Sequence, residues 1–349
     1  MTEHDSFTYA KAGIDLKATD AVKKEMGKSM QTDNERMLHS AGAFASLYDF
    51  KFDEYDHPVL VMKTEEPGSK QLLAFQTNRV KSICYDMVHH LINDIIVMGA
   101  RPLAVQDAII CGMIDEAVLR DIVDAIAAAC REQDCVLTGG ETSIQPGVLK
   151  EGSYILTSSI VGVVDKRNII DGAAIREGDV VLAIPSGGLH TNGYTIVRAL
   201  MEQKPDMRHT LVDGEAFIDA IMRPHLCYYK ALRDLFVHKV LHGMAHITGG
   251  GIQGNLGRIL PRNVNAVIDL SAIRILPVFH TIRQEGQVED QEMLNIFNMG
   301  VGMALVADAA AVQPIQAHLS AFGHSSYVIG EITAGQGEVV CHGKLDWKV

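Results

Sequence analysis

The chain has 349 residues, a formal net charge of −12 at pH 7 and a hydrophobic fraction of 47%. A chain of this length usually forms two domains, because one core seldom grows beyond about 250–300 residues. The acidic balance argues against a nucleic-acid partner, because binding nucleic acid needs a clustered basic surface on the protein.

No stretch reaches the ~20 apolar residues of a membrane span, and the amino terminus lacks the pattern of a secretory signal. The six cysteines are scattered without a C-x-x-C pair, as in a reducing compartment. We therefore expect a soluble cytoplasmic protein.

Hydrophobic periodicity predicts a mixture of strands and helices in both halves of the chain. In the first half we expect strands at 57–63, 103–110, 135–138 and 154–164, with helices at 79–99 and 115–133. In the second half we expect strands at 179–184, 244–247, 265–270, 300–307, 326–331 and 338–341, with helices from Tyr194, at 216–237 and at 309–322. This mixture predicts α/β or α+β domains. A polar, glycine-containing segment separates the halves, and we place the domains at 1–168 and 169–349.

Three glycine-rich segments, at 139–142, 187–193 and 248–251, each follow an apolar strand. Without a Cβ, such a turn lets the backbone approach a ligand and direct several N–H groups at one anion. The second and third also precede helices, whose N-termini favour anions. One such turn is usually ordinary loop geometry, but three with polar neighbours favour phosphate binding. None is a Walker A loop, and no G-x-G-x-x-G motif follows a strand.

The predicted helix at 79–99 carries Asp86, His90, Asn93 and Asp94 within one sector. Asp86 and Asp94 are eight residues apart, about 12 Å along the axis, so they cannot hold one ion together. Three interpretations stay open: a solvent-facing stripe, a magnesium site that joins Asp94 to an acid such as Asp107, and a zinc face. The last is the least favoured, because no H-E-x-x-H motif or thiolate pair accompanies it.

Two further side chains are candidates for phosphate and proton chemistry. Lys70 lies two residues after Gly68 and suits phosphate as a point charge, although a solvated lysine is the simpler interpretation. His190 lies in a glycine-rich loop and could exchange a proton near neutral pH. The chain has 15 histidines, so an ordinary structural role for His190 also stays open.

Several short motifs, taken in order, resemble the phosphoribosylformylglycinamidine cyclo-ligase (aminoimidazole ribonucleotide synthetase) family over nearly the whole chain. They are ND at 93–94, GARPL at 99–103, GGET at 139–142, GVVD at 162–165, HTNGY at 190–194, HITGGG at 246–251 and FNMGVGM at 297–303. The resemblance implies a homodimer in which the amino-terminal sheets of two subunits join into a barrel flanked by the carboxy-terminal domains. It also implies that a small-molecule ribonucleotide substrate meets ATP in a cleft at the domain and subunit junction.

The implied activity belongs to purine biosynthesis. ATP, with Mg²⁺, drives closure of the imidazole ring of formylglycinamidine ribonucleotide and yields aminoimidazole ribonucleotide, ADP and phosphate. The formyl oxygen is phosphorylated, and an amidine nitrogen then attacks that carbon and expels phosphate. This scheme needs donors for anionic groups and acids for the metal.

Carried onto this sequence, the resemblance implies four sets of site residues. The catalytic set is His190 and Lys70. The ATP and phosphate set is Glu65, Gly68, Ser69, Lys70, Asn93, Gly139, Gly140 and Glu141. The substrate set is Gly187, Gly188, His190, Asn192, Thr248, Gly249 and Gly250. The metal set is Asp94, Asp107, Glu65 and Glu141.

One loop departs from the family pattern, which reads roughly Gly-Thr-Asp-Gly-Val-Gly-Thr-Lys where this chain has KTEEPGSK at 63–70. Glu65 replaces the metal-side aspartate, and Pro67 stiffens the loop and removes an N–H. We therefore expect a changed local ATP geometry. Two alternatives stay open: a catalytically idle nucleotide-binding relative and an enzyme like thiamine monophosphate kinase.

Overall fold

A computed structural model describes residues 8–9, 11–14, 16–38 and 44–347 of the chain. Its two main sheets lie in the two halves of the sequence, and helices pack on both. In the described ranges, no helix has the length and apolar character needed to cross a membrane. The architecture is a two-sheet mixed α/β fold, as the sequence predicts.

The first half contains a four-stranded sheet. Its elements are α1 (Leu16–Ser29), β1 (Pro58–Glu65), α2 (Lys70–Gln76), α3 (Val80–Ile96), β2 (Arg101–Cys111), α4 (Glu116–Glu132), β3 (Val136–Ile144) and β4 (Tyr154–Asp165). The strand order is β1-β4-β2-β3, in which only β2 and β3 are parallel. Parallel neighbours need a crossover, which α4 provides. Its first turn is capped by Asp115, whose side chain accepts from the N–H groups of Ala117 and Val118.

The second half contains a six-stranded sheet in the order β12-β9-β11-β5-β10-β8. Its strands and helices are β5 (Asp179–Pro185), α5 (Tyr194–Gln203), β6 (Leu211–Val212), β7 (Glu215–Ala216), α6 (Phe217–Ile221), α7 (Tyr229–Leu232), β8 (Leu241–His246), α8 (Gly251–Leu256), β9 (Val264–Asp269), α9 (Pro277–Gly286), α10 (Asp290–Ile296), β10 (Val301–Asp308), α11 (Val312–Ala321), β11 (Tyr327–Ala334) and β12 (Val339–His342). The central strands β5 and β10 are buried on both faces, which explains their continuous apolar runs.

Most of the predicted elements are confirmed, but two predictions are wrong. The helix expected at 216–237 is two short helices, α6 and α7, separated by a non-helical segment at 222–228. Pro224 explains the break, because it removes an N–H and disfavours the helical conformation of the residue before it. The helices α9 and α10 were not predicted at all.

The second error concerns Gly139 and Gly140, which we expected in a turn. Both lie inside β3, where Gly140 pairs with Asp107 of β2. A Cβ on Gly140 would lie 1.9 Å from the carbonyl oxygen of Asp107. This glycine therefore permits close approach of two strands, which is one of the regular reasons for glycine within a sheet.

The polar face of α3 is the surface on which the second half of the chain docks. Asp86 Oδ1 accepts from the backbone N–H of His225 at 2.9 Å. Asn93 donates to the carbonyl of Leu226 at 2.8 Å and accepts from the N–H of Tyr228 at 3.1 Å. The stripe is thus not solvent-facing, because Asp86 and Asn93 are fully buried and bind the backbone of segment 222–228.

A buried ion pair strengthens this docking. Lys70, the first residue of α2, places its ammonium 2.6 Å from Asp86 Oδ2, and both side chains are 0% exposed. The same ammonium donates to the carbonyl oxygens of Arg223 at 2.8 Å and His190 at 3.1 Å. All three of its donors are therefore used within the protein. Burial raises the pKa of Asp86 above its ordinary value, although the charge of Lys70 opposes that shift.

We expect Lys70→Met to lower the free energy of unfolding by about 3–5 kcal/mol, because it leaves the Asp86 carboxylate buried without its cation. Lys70→Met combined with Asp86→Asn should recover a large part of that loss, since the amide oxygen can still accept from His225. Urea unfolding followed by circular dichroism measures both. Equal destabilisation of the single and double variants would show that the charge pair is not the determinant.

Candidate active site at the domain junction

Four histidines meet where α3, segment 222–228 and the carboxyl ends of β5 and β8 come together. They are His90 on α3, His190 in the loop after β5, His225 in segment 222–228 and His246 at the end of β8. The ring of His225 stacks between those of His190 and His90, with centroids 4.1 and 5.1 Å away. All four side chains are buried.

The loop that carries His190 is held in a fixed shape. Ser186 and Asn298 both donate side-chain hydrogen bonds to the carbonyl of Gly188. His190 itself has a left-handed backbone with φ of 61°, a conformation that is uncommon outside glycine. Gly193, with φ of 78°, is the N-cap of α5, and a Cβ there would lie 2.0 Å from Phe297. The loop therefore directs His190 into the protein, and its side chain is 1% exposed.

Asp94 is the centre of a charged network. Its Oδ1 accepts from His246 Nδ1 at 2.8 Å, and its Oδ2 lies 3.2 Å from the ammonium of Lys63 and 3.5 Å from His90 Nε2. Lys63 also pairs with Glu65 at 2.6 Å. Burial favours the neutral acid, but the hydrogen bond and charge of His246, followed by His90 and Lys63, hold the pKa of Asp94 well below its ordinary value.

Burial lowers the pKa of a histidine, whereas by itself it would raise the pKa of an acid such as Asp94. Burial lowers the pKa of His190 and of His225 well below the ordinary value, and the neighbouring imidazoles add to that shift. Burial also lowers the pKa of His90 to about 4, although Asp94 opposes the shift. These three rings are consequently neutral at pH 7.

The predicted substrate loops lie beside each other. Asn255 donates to the carbonyl oxygens of Thr248, Gly249 and Gly251, which fixes the third glycine turn. A methyl group at Gly249 would lie 3.1 Å from the side-chain oxygen of Asn192. Gly249 and Gly250 are exposed, whereas the Nδ2 atom of Asn192 is buried without a hydrogen-bond partner. The two loops thus form one surface next to the histidines.

The predicted phosphate residues are more dispersed. Lys70 and Asn93 are fully buried and use their polar atoms to dock segment 222–228. Gly68 and Ser69 lie in the partly buried turn before α2. Gly139, Gly140 and Glu141 lie on the edge strand β3, where the Glu141 side chain is exposed. The roles given to these residues in ATP binding remain predictions.

Two groups of residues in the described part of the chain could hold a metal ion. One is His190, His225 and His246, and the other is His90, Asp94 and His246. Glu65, Asp107 and Glu141 belong to neither group. Burial raises the pKa of Asp107 to about 7. Of the four predicted metal residues, only Asp94 lies within a metal-capable group.

Three residues of this site were not given a role by sequence reasoning. His246 was noted only as part of a motif, and Lys63 only as part of the divergent loop. His225 was missed because segment 222–228 was taken for helix. Its one signal is the Arg-Pro-His sequence at 223–225, which marks a non-helical segment that can present a side chain inward.

A cavity of about 350 Å³ adjoins the histidine cluster. Segment 223–227 forms one wall, and His89, Gln133 and Gly187 complete it. The Nε2 atom of His89 and the Oε1 atom of Gln133 are buried without a hydrogen-bond partner. The cavity is large enough for solvent or a small ligand.

Comparison with known proteins gives a consistent family. The AIR synthase related protein N-terminal domain matches residues 48–164, and the corresponding C-terminal domain matches residues 176–342. Phosphoribosylformylglycinamidine cyclo-ligase of Methylobacillus flagellatus is 38% identical over 339 residues, 97% of this chain and 98% of that protein. The enzyme of that name from Bacillus cytotoxicus is 36% identical, with 97% and 98% covered.

Solved structures agree on the fold. The thiamine-monophosphate kinase of Stenotrophomonas maltophilia K279a has a TM-score of 0.67 at 18% identity, covering 94% of this chain and 96% of that one. The HypE protein of E. coli has a TM-score of 0.68 at 15% identity, covering 95% and 97%. At such identities the likeness concerns the fold alone, whereas the sequence relatives decide the family. The chain belongs to the phosphoribosylformylglycinamidine cyclo-ligase family, built from the two AIR synthase related domains.

Proposed function

We propose that the protein closes the imidazole ring of formylglycinamidine ribonucleotide at the expense of ATP, giving aminoimidazole ribonucleotide, ADP and phosphate in purine biosynthesis. The observation that carries this proposal is the 36–38% identity to enzymes of that name over 97% of the chain. The matched region includes both domains, whose junction forms the cleft. The buried polar cluster in that cleft supports the same conclusion.

The geometry supports a division of work between the two halves of the chain. The exposed backbone of Gly249 and Gly250, with Asn192 beside it, offers donors for the anionic ribonucleotide. Lys63 is 36% exposed at its side chain, so its ammonium can turn toward a phosphate while that of Lys70 cannot. Lys63 is therefore the better candidate for the phosphate-binding lysine, and Lys70 for a positioning residue that holds the loop of His190.

The state of His190 favours one of its two expected roles. Its ring is buried, and burial lowers its pKa well below the ordinary value. A neutral imidazole in such a place is a poor general acid at pH 7. We therefore assign His190 a hydrogen-bonding role toward the substrate, with ring closure driven by phosphorylation of the formyl oxygen and expulsion of phosphate.

Magnesium enters this scheme as the counter-ion of ATP, where it neutralises phosphate charge. The surroundings of Asp94 suit it poorly, because imidazole nitrogens and an ammonium surround that carboxylate, whereas Mg²⁺ prefers oxygen ligands. Glu65 is occupied by Lys63. The exposed carboxylate of Glu141 is the remaining member of the predicted metal set that fits, and we propose it as the protein's ligand to MgATP.

We further propose a cytoplasmic homodimer with the domain boundary near residue 168. Leu60 and Met62 of β1 are 48% and 71% exposed and lie on the same face of the strand. An apolar face on a sheet is costly in water. Burial against a second subunit would remove that cost, as the barrel of the family resemblance requires.

A second candidate is a relative that binds nucleotide without closing the ring. The pairing of Lys63 with both Glu65 and Asp94 favours it, since these acids would otherwise be available to a metal. The thiamine monophosphate kinase alternative gains nothing specific from the site.

Incubation with MgATP and formylglycinamidine ribonucleotide tests the main proposal. We expect ADP release that depends on the ribonucleotide, measured by a coupled assay, with aminoimidazole ribonucleotide detected by mass spectrometry. A control without ribonucleotide reports background hydrolysis. Saturable ATP binding without substrate-dependent ADP would reject ring closure and support the second candidate.

Asp94→Asn tests the network around His246. We expect kcat to fall by about 10–100-fold, as for other carboxylates that orient a site histidine, with little change in melting temperature. Asp179→Asn is a matched control, because Asp179 also pairs with a histidine of β8, His242, at the opposite end of the sheet. Near-normal turnover of Asp94→Asn would remove Asp94 from the site.

A further inference from the structure

We infer that His190, His225 and His246 form a binding site for one divalent transition-metal ion, with Zn²⁺ as the expected occupant. One ring nitrogen from each residue lies within 4.8 Å of the others. In a tetrahedral zinc site with Zn–N bonds of about 2.0–2.1 Å, the ligand atoms are about 3.4 Å apart. The rings of His190 and His225 would have to turn out of their stacked arrangement, in which the planes lie 26° apart, because the lone pair that binds a metal lies in the plane of each imidazole. The inference concerns metal binding alone and does not rest on the proposed ring closure.

The hydrogen bonds of the three rings leave one bare nitrogen on each. The Nδ1 atoms of His190 and His225 and the Nε2 atom of His246 are buried without a hydrogen-bond partner. Their side chains are at least nine-tenths buried, so solvent does not satisfy these atoms. Buried polar atoms without partners are uncommon and costly. A metal ion shared by the three rings would satisfy all of them.

The opposite nitrogens have the partners that metal-binding histidines usually have. His246 Nδ1 donates to Asp94 at 2.8 Å, which is the carboxylate–histidine–metal arrangement that fixes the tautomer with Nε2 free. His225 Nε2 lies 3.1 Å from the hydroxyl of Thr191 and can donate to it, leaving Nδ1 free. Neither ring needs a change of hydrogen bonding to offer its free nitrogen.

His190 would need one change in its hydrogen bonding to bind a metal. Its Nε2 atom accepts from the N–H of Gly187 at 3.3 Å, a long hydrogen bond. Coordination through Nδ1 moves the ring proton to Nε2 and ends that contact. The ring stays neutral, so no charge is created or lost at His190.

The charges and polarity around the cluster allow a dication. Lys70 is paired with Asp86, and Lys63 with Glu65 and Asp94, so neither lysine leaves a free positive charge. Three imidazoles select zinc and similar metals over magnesium or calcium, which prefer oxygen ligands. The cavity beside His225 offers a route of entry. Three protein ligands also leave a fourth position for water or another donor.

The simplest competing explanation is that the rings only pack together. The planes of His190 and His225 are stacked at 26°, which is a favourable arrangement without any metal. The two explanations differ in one observable, the binding of Zn²⁺ by the folded, full-length protein in the absence of nucleotide.

The experiment strips the purified chain with a chelator, removes the chelator and titrates Zn²⁺ against a chromophoric competitor. We expect one ion per chain with a Kd at or below about 1 μM, and no displacement by millimolar Mg²⁺. Co²⁺ should bind to the same site and give the strong visible absorption of tetrahedral coordination. Failure of the correctly folded protein to bind Zn²⁺, or a Co²⁺ spectrum that is only octahedral, would overturn the inference.

Matched variants locate the ion. We expect His246→Asn and His225→Gln to weaken Zn²⁺ binding by at least about 100-fold, and Asp94→Asn to weaken it by about 10–100-fold. His242→Asn is the control, because His242 lies on the same strand and donates Nδ1 to an aspartate at 2.7 Å, but belongs to no metal-capable group. Equal affinity in His246→Asn and His242→Asn would reject this site. Ligase assays on zinc-loaded and stripped protein are run separately, so a failed ring-closure proposal leaves this result interpretable.

Discussion

The buried ion pair between Lys70 and Asp86 is the interaction on which the rest of the cleft depends. An ammonium with no access to solvent must satisfy three donors within the protein. Lys70 does so with Asp86 of α3 and with the carbonyl groups of His190 and Arg223. One side chain thereby fixes the glycine-rich loop after β5 and segment 222–228 against the same helix. The positions of His190 and His225, which lie on those two segments, depend on this arrangement.

The fold could be predicted from the sequence where local pattern and tertiary structure agree. The apolar runs of β5 and β10 identify central strands because they are covered on both faces. Segment 222–228 has apolar residues at helical spacing on both sides, yet it is not helical. Its conformation is set by Pro224 and by hydrogen bonds to Asp86 and Asn93 of a distant helix. Single-sequence periodicity contains no information about such partners.

The candidate site shows the same limit more clearly. The sequence indicated the right residue types on α3. It did not indicate that Asp86 and Asn93 form hydrogen bonds with the backbone of the same chain. Nor did it indicate that Asp94 and His90 face the cleft. Glycine content was equally ambiguous: Gly140 permits close approach of a neighbouring strand, whereas Gly193 packs against Phe297 just before a helix. The presence of a glycine indicates only that the backbone approaches another group closely. Only the fold determines whether that partner is a ligand, a strand or an aromatic ring.

The divergent loop at 63–70 can now be understood as a change of charge. Where the family pattern has glycine, this chain has Lys63, and its ammonium lies between Glu65 and Asp94. A cation built into the protein at this point reduces the attraction of both acids for Mg²⁺, because like charges at such distances repel. Asp94 then serves chiefly as the acceptor of His246, which leaves the far nitrogen of that ring bare.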